Sequence, residues 1–165
     1  MEAVVGPETR IASLCNGITS EQKIAERFGW QRTVLGICQG MDAVFLNNEL
    51  TYDKPGEIRF GAAPDTDPAV VADIADLYSR VGIAHVVEPD IKRRMWTKLM
   101  MNVGVNQTCM VYGGTYGSAT ERGSEQRAAW WRLCARLAWW RMRKASPSPS
   151  LTCRRWSSCS KRLTP

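Results

Sequence analysis

Short apolar runs alternate with amphipathic segments over the first half of the chain. Period-two or continuous apolar patterns rich in β-branched residues predict strands, at residues 10–14, 34–38, 43–46, 57–60 and 83–87. Asn47 and Asn48 predict a turn between two of them. Strands that alternate with helices are typical of an open α/β sheet.

Two helices interrupt these strands. The first is predicted from Thr19, whose spacing to Gln22 matches a capping box, to Gly29, which ends the helix. The second is predicted from Asp67 and Pro68, an N-cap followed by proline at the first helical position. A repeated apolar face then continues to residue 82.

The pattern changes near residues 88–90. Residues 90–112 predict one long helix that is capped by Asp90 and contains no proline. Gly113, Gly114 and Gly117 end it, and a further helix is predicted to start near Ser118 or Thr120. The expected fold class is therefore α/β followed by α-helical.

Charge divides the chain into two kinds of sequence. The whole chain carries a net charge of +6, but residues 1–119 sum to −3 and residues 120–165 to +9. The basic segment also contains five of the seven tryptophans. Its charge therefore says little about what residues 1–119 bind.

Composition excludes several classes of protein. No apolar run approaches the roughly 20 residues of a membrane helix, and the first residues lack the pattern of a secretory signal, so a cytoplasmic protein is expected. The six cysteines show no C-x-x-C spacing and His85 is the single histidine, so no metal site is expected. Cys15, Cys38 and Cys109 are expected to be buried thiols.

Three polar residues repeat along the long predicted helix. Lys98, Asn102 and Asn106 lie at i, i+4 and i+8 and so share one stripe of a largely apolar helix. Polar groups on a buried stripe need a hydrogen-bond partner or a polar ligand. The stripe therefore predicts either a ligand site, or a lysine that extends to solvent beside two asparagines that bond nearby backbone.

A fourth candidate lies in the loop between the first strand and the first helix. Asn16 and Gly17 follow the end of the strand, where open α/β sheets bind ligands. The same dipeptide also suits an ordinary turn.

Taken together, three segments resemble the ketopantoate reductase (2-dehydropantoate 2-reductase) family. They are LCNGITSEQKIAERFG, KPGEIRFG and EPDIKRRMWTKLMMNVGVNQT, and the resemblance covers about residues 10–125. It implies a Rossmann-like NADP-binding domain followed by an all-α domain. It also implies NADPH-dependent reduction of ketopantoate in coenzyme A synthesis, with a homodimer as the candidate assembly. Another 2-keto acid, or a relative among the hydroxyacid dehydrogenases, remains an alternative.

The resemblance also implies a role for each candidate residue. Lys98 is the general acid that protonates the forming hydroxyl, because hydride addition develops charge on that oxygen. Asn102 and Asn106 hold the hydroxyl and carboxylate ends of the substrate. Asn16 lies between the cofactor NADP(H) and the substrate.

The chain departs from the family at its phosphate-binding motif. No G-x-G-x-x-G follows a strand, so weak or absent NADPH binding is expected. We therefore expect the last part of a nucleotide-binding domain at 1–88, the start of a helical domain at 89–127, and a basic tail at 128–165. Such a chain is expected to be an inactive or incomplete fragment.

The tail has three possible explanations. Read one base out of frame, it can encode a helical sequence of the family's kind, so a frame change near residues 125–129 is expected. Taken as it stands, the tail holds nine of the eleven basic residues of 120–165, interleaved with tryptophan, and could bind nucleic acid or an anionic membrane surface. Ser-Pro repeats interrupt any long helix, however, and make nucleic-acid binding the weaker hypothesis. A non-catalytic remnant is the third explanation.

Overall fold

The structure, a computed structural model, describes residues 4–145, with side chains as far as Arg141. The strands are β1 (Ile11–Ala12), β2 (Thr33–Met41), β3 (Val44–Leu46), β4 (Glu49–Thr51), β5 (Pro55–Ala62) and β6 (His85–Val87). The helices are α1 (Ser20–Phe28), α2 (Pro68–Arg80), α3 (Ile91–Met101), α4 (Gln107–Tyr112), α5 (Tyr116–Thr120) and α6 (Glu125–Ala145). A 3₁₀ turn (Trp30–Arg32) precedes β2, and a π-helical turn (Asn102–Asn106) joins α3 to α4.

Four strands form a mixed sheet in the order β1-β2-β5-β6. Helix α1 links the parallel strands β1 and β2, and α2 links the parallel strands β5 and β6. Strands β2 and β5 pair in antiparallel fashion, from Val34 opposite Ala62 to Met41 opposite Pro55. The expected fold class is confirmed, and the antiparallel pair is a feature that the strand-helix alternation did not predict.

The sheet is apolar on both faces. Side chains of successive β2 residues point to opposite faces, and two clusters of buried residues result. The first cluster consists of Leu35, Ile37, Ala63, Ile91 and Met95. The second cluster consists of Val34, Phe60, Val70 and Ile74. The first cluster includes residues of α3, so this helix packs on the sheet through its amino-terminal part.

The helix ends match the sequence in most respects. Asp67 accepts a hydrogen bond from the Ala69 backbone N at 2.8 Å and so caps α2, as predicted. Gly29 ends α1 at a φ of 90°, also as predicted. The predicted capping box of α1 is wrong, because the Thr19 side chain makes no cap hydrogen bond; its backbone lies at ψ −15°, away from the extended form of a capping residue.

Strands β3 and β4 form a separate hairpin. Asn47 and Asn48 adopt φ values of 51° and 62° at its turn, as the predicted turn requires. The side chain of Asp42 closes the base of the hairpin by accepting hydrogen bonds from the backbone N of Asp53 and Lys54 at 3.0 and 2.7 Å.

The described residues fall into two compact units, one up to Leu99 and one from Met100 onward. The second unit contains the π-helical turn and helices α4 to α6. Its α5 begins at Tyr116, two residues before the predicted start, because Thr115 forms a capping box with Ser118. Helix α6 continues through residue 128. The domain limits at 88 and 127 stay predictions.

Within the described residues, no helix has the length and apolar composition needed to cross a membrane.

Candidate functional site

Lys98 lies in α3, which starts where the sequence predicts. The Asp90 side chain accepts a hydrogen bond from the Arg93 backbone N at 3.0 Å and caps the helix. Lys98 is half-buried, and its Nζ donates a hydrogen bond to the backbone carbonyl of Cys38 in β2. An ammonium group has three donors, so this contact orients Lys98 and leaves further donors for another acceptor.

The thiol of Cys38 shares this environment. Burial raises the pKa of the Cys38 thiol, while the positive charge of Lys98 acts in the opposite direction. Cys15, in contrast, is exposed and Cys109 is half-buried, so the prediction that these cysteines are buried is wrong for Cys15. Cys15 lies in the loop after β1, which runs over the surface.

An ion-pair network holds α3 near the end of β6. Glu88 accepts hydrogen bonds from Arg59 Nη1 and, at 3.1 Å, from Arg94 Nε. The Arg59 hydrogen bond lowers the pKa of Glu88, and Arg94 adds to the effect. Arg59 also bonds Glu57 at 2.5 Å and lowers its pKa. These residues position the helix that carries Lys98, and sequence reasoning did not identify them.

A glycine beside this network allows close packing of α3 on the sheet. A Cβ added to Gly61 in β5 would collide with the Glu88 carbonyl and lie 3.1 Å from Ile91 Cγ2. Glycine therefore lets the start of α3 approach the sheet. The side chain of Lys98 depends on this approach, because its partner is a carbonyl of the sheet.

Asn16 is exposed in the loop between β1 and α1. A chain of hydrogen bonds fixes this loop: the Cys15 backbone N donates to Ser13 Oγ at 3.4 Å, Ser13 to Ser20 Oγ at 2.9 Å, and Ser20 to Glu21 Oε2 at 2.9 Å. Glu21 is only 1% exposed, and its Oε1 has no hydrogen-bond partner among the described residues. The loop is thus anchored on a buried carboxylate.

The two candidate asparagines lie at the ends of the π-helical turn, and the structure brings them together. Asn106 Nδ2 donates to Asn102 Oδ1 at 3.2 Å, and both side chains are half-buried. Tyr116, from the start of α5, donates its hydroxyl to Asn106 Oδ1. The sequence predicts an unbroken helix over 90–112; the wide turn and the contact to Tyr116 were missed.

Gly104, in the middle of this turn, explains how α6 can pack against it. A Cβ at Gly104 would lie 2.7 Å from Trp130 Nε1 and 2.8 Å from Cys134 Sγ, both in α6. Such distances do not occur for real Cβ atoms. Since the turn is buried at Gly104 and Val105, α6 provides part of the packing that holds Asn102 and Asn106.

The structure therefore places the four candidates as follows. Asn16 and Lys98 belong to separate elements of the first unit, whereas Asn102 and Asn106 are hydrogen-bonded to each other in the second. Three further residues contact the candidates or the loop that carries Asn16. Tyr116 bonds Asn106, Cys38 bonds Lys98, and Glu21 bonds Ser20 of that loop's hydrogen-bond chain. None of these three carries a spacing signal that would have identified its role.

Within the described residues, the loop between β1 and α1 does not fit the pyrophosphate of a nicotinamide dinucleotide. A pyrophosphate needs several backbone N–H groups at a glycine-rich turn that leads into an accessible helix N-terminus. Here the first turn of α1 holds the buried carboxyl side chain of Glu21, and the loop before it has Gly17 as its one glycine. Asn16 suits a hydroxyl or an amide, so the loop fits polar, uncharged groups.

No protein-family model and no curated protein matches the sequence. Solved structures do match in fold. They include 2-dehydropantoate 2-reductase from Geobacter metallireducens, 21% identical with a TM-score of 0.70, over 82% of this chain and 45% of that protein. D-mandelate dehydrogenase in complex with NADH is 15% identical with a TM-score of 0.74, over 99% and 54%.

A third match is the dimeric ketopantoate reductase of Staphylococcus aureus, 18% identical with a TM-score of 0.67, over 97% of this chain and 51% of that protein. The chain thus spans about half the length of the structures it resembles. The resemblance inferred from the sequence is confirmed in three dimensions: the chain has a fold that 2-dehydropantoate 2-reductases share.

Proposed function

We propose that the chain carries the substrate-side residues of an NADP(H)-dependent 2-keto acid reductase of the 2-dehydropantoate type. The observation that carries the proposal is the hydrogen-bonded pair Asn102 and Asn106 on a π-helical turn. Single π turns within helices are frequent at functional sites. The solved reductases with this fold support the reaction class.

Lys98 is the proposed general acid. Reduction of a ketone leaves negative charge on oxygen, and an ammonium that is already oriented stabilises that charge and supplies the proton. The Cys38 carbonyl holds Nζ in place through one of its three donors. Where a nicotinamide dinucleotide supplies hydride to the carbonyl carbon, Lys98 would bond the substrate oxygen through a remaining N–H and give that proton to the forming alkoxide.

The asparagine pair is the proposed holder of the substrate's hydroxyl and carboxylate ends. Asn102 and Asn106 use one donor and one acceptor on each other. Asn106 Oδ1 also accepts from Tyr116. The Asn102 amide thus keeps its two N–H donors for the acid. Asn16, exposed on the loop between β1 and α1, is proposed to lie between the cofactor and the substrate.

The chain by itself is proposed to bind the acid without reducing it. The residues around Asn16 do not fit a pyrophosphate, because the loop before α1 has Gly17 as its one glycine. Contacts of the 2-keto acid with Lys98 or with the asparagine pair do not require a dinucleotide, whereas turnover does. We therefore expect this chain to bind the acid and not to reduce it.

Calorimetric titration of the chain with 2-dehydropantoate tests this proposal. We expect saturable binding that Lys98→Met weakens at least tenfold, because one charge-assisted hydrogen bond contributes roughly 1.5–3 kcal/mol. The matched control is Lys92→Met, an exposed lysine of the same helix, which should bind as the wild type does. Absent binding, or equal losses in the two variants, would contradict the proposal. The chain by itself is expected to oxidise no NADPH; a measured rate that Lys98→Ala leaves unchanged would remove Lys98 as the general acid.

The same proposal includes association of two copies, which the dimeric ketopantoate reductase of similar fold supports. Sedimentation velocity measures it directly. A species of twice the 18.5 kDa chain mass is expected at micromolar concentration, and a purely monomeric protein would remove this part of the proposal.

A second candidate function is supported by α6. Arg132 and Arg136 are exposed at helical spacing, and Trp131 and Trp140 are 48% and 41% exposed. Exposed tryptophan beside arginine can stack on single-stranded nucleic acid. Retention of labelled oligothymidylate that falls steeply as salt is raised would favour this function; no retention at low salt would exclude it.

A further inference from the structure

Tyr116 has a defined position next to the asparagine pair. The chain reverses at Gly113 and Gly114, whose φ values are 69° and 121°. Thr115 then caps α5, with its Oγ1 accepting from the Ser118 backbone N at 3.4 Å and Ser118 Oγ accepting from the Thr115 backbone N at 3.0 Å. Tyr116 is the first residue of that helix, so the cap fixes where its hydroxyl lies.

The hydroxyl determines which way the neighbouring amide faces. Tyr116 donates to Asn106 Oδ1, and Asn106 Nδ2 donates to Asn102 Oδ1 at 3.2 Å. The oxygen of Asn106 is thereby directed to Tyr116 and its nitrogen to Asn102. The oxygen of Asn102 is in turn directed to Asn106, which leaves the Nδ2 of Asn102 as the group to meet a ligand.

From this relay we infer that Tyr116 is a positioning residue that fixes Asn102 as a hydrogen-bond donor toward the carboxylate of the substrate. The inference rests on the proposed function. A carboxylate only accepts hydrogen bonds, so an Asn102 that presented Oδ1 would oppose it. Without the hydroxyl, Asn106 can rotate its amide and turn the oxygen of Asn102 toward the acid.

The energetic effect follows from this rotation. Tyr116 is 57% exposed, so loss of its hydroxyl should hardly change stability. An effect on the amides and on affinity would therefore reflect positioning. Loss of one neutral hydrogen bond in the relay corresponds to roughly a three- to tenfold weaker affinity.

The test uses the full chain with Tyr116→Phe and with Tyr112→Phe as the matched control. Tyr112 is 42% exposed, and its hydroxyl makes only a 3.5 Å bond to Glu125. Side-chain amide resonances of Asn102 and Asn106 are assigned by Asn→Asp variants in a ¹⁵N–¹H spectrum. Titration uses 2-dehydropantoate and, separately, 2-oxo-2-phenylacetate, the keto acid related to mandelate.

We expect Tyr116→Phe to move both amide resonances and to weaken binding of both acids roughly three- to tenfold, with Tyr112→Phe unchanged in both respects. Equal affinity of wild type and Tyr116→Phe for 2-dehydropantoate would overturn the inference and leave the proposed function intact. Binding of 2-oxo-2-phenylacetate alone, weakened by Tyr116→Phe, would support the inference and refute the proposed substrate. If neither acid binds the wild type, both fall.

Discussion

Replacement of Gly104 by alanine tests how the asparagine-bearing turn is held. A Cβ at this position would lie 2.7 Å from Trp130 Nε1 and 2.8 Å from Cys134 Sγ. Trp130 Nε1 is buried, and the ring also contacts that of Trp131, with centroids 5.2 Å apart. The added methyl group therefore has to displace α6 from the π-helical turn.

The magnitude is a difference of two effects. Alanine is favoured over glycine within a helix by about 1 kcal/mol, whereas an extra methyl group in a filled site costs about 1–3 kcal/mol. With Trp130 and Cys134 both in contact, the upper part of the second range applies, about 2–3 kcal/mol, and exceeds the gain. Gly104→Ala should then lower the free energy of unfolding by about 1–2 kcal/mol.

Urea unfolding followed by circular dichroism measures this change. Gly117→Ala is the matched control, since a Cβ there meets only Thr115 Oγ1 at 3.4 Å; it should be neutral or slightly stabilising. The losses from Gly104→Ala and Trp130→Ala should be less than additive in the double variant, because the two residues are in contact. A Gly104→Ala protein as stable as the wild type would refute the packing of α6 on the turn.

Further changes test the first unit. Asp67→Ala should lower the free energy of unfolding by about 0.5–2 kcal/mol through loss of the α2 cap, while Asp67→Asn, which retains an acceptor, should be nearly neutral in the same urea titration. The pKa of Glu88 is lowered by its arginines, so its contribution is complete above the ordinary glutamate pKa of roughly 4.3 and is lost as pH falls through the lower folded-state pKa. Glu88→Gln should therefore flatten the loss of thermal stability between neutral and acidic pH, and an unchanged pH profile would argue against the network. Burial raises the pKa of Cys38, so iodoacetamide should label it slowly at neutral pH; Lys98→Met removes the opposing charge and should slow labelling further, and faster labelling by mass spectrometry would contradict this placement.

Most features that depend only on neighbouring residues were predicted well, although the capping box at Thr19 was not. The cap at Asp67, the turn at Asn47 and Asn48, and the end of α1 at Gly29 each follow from the conformational preferences of a few adjacent residues. The strands themselves follow from apolar runs. Strand pairing depends on residues far apart in the sequence. The alternation of strands and helices therefore did not predict that β2 and β5 pair in antiparallel fashion.

The candidate site was predictable only in part for the same reason. Asn102 and Asn106 were identified from their spacing, and the structure does join them. No local sequence pattern predicts the π-helical turn between them. Gly104 is important there because it contacts α6, more than twenty residues further along the chain. Tyr116 reaches Asn106 across a chain reversal, so no helical periodicity relates the two.

The measurement that tests the central claim most directly is the affinity for 2-dehydropantoate of the wild type and of one triple variant. The triple variant combines Lys98→Met, Asn102→Ala and Asn106→Ala. Both proteins are first compared by thermal unfolding, so that a folded variant is used. The account predicts saturable binding by the wild type and its loss in the triple variant. Undiminished binding by the triple variant, or none by the wild type, would contradict it.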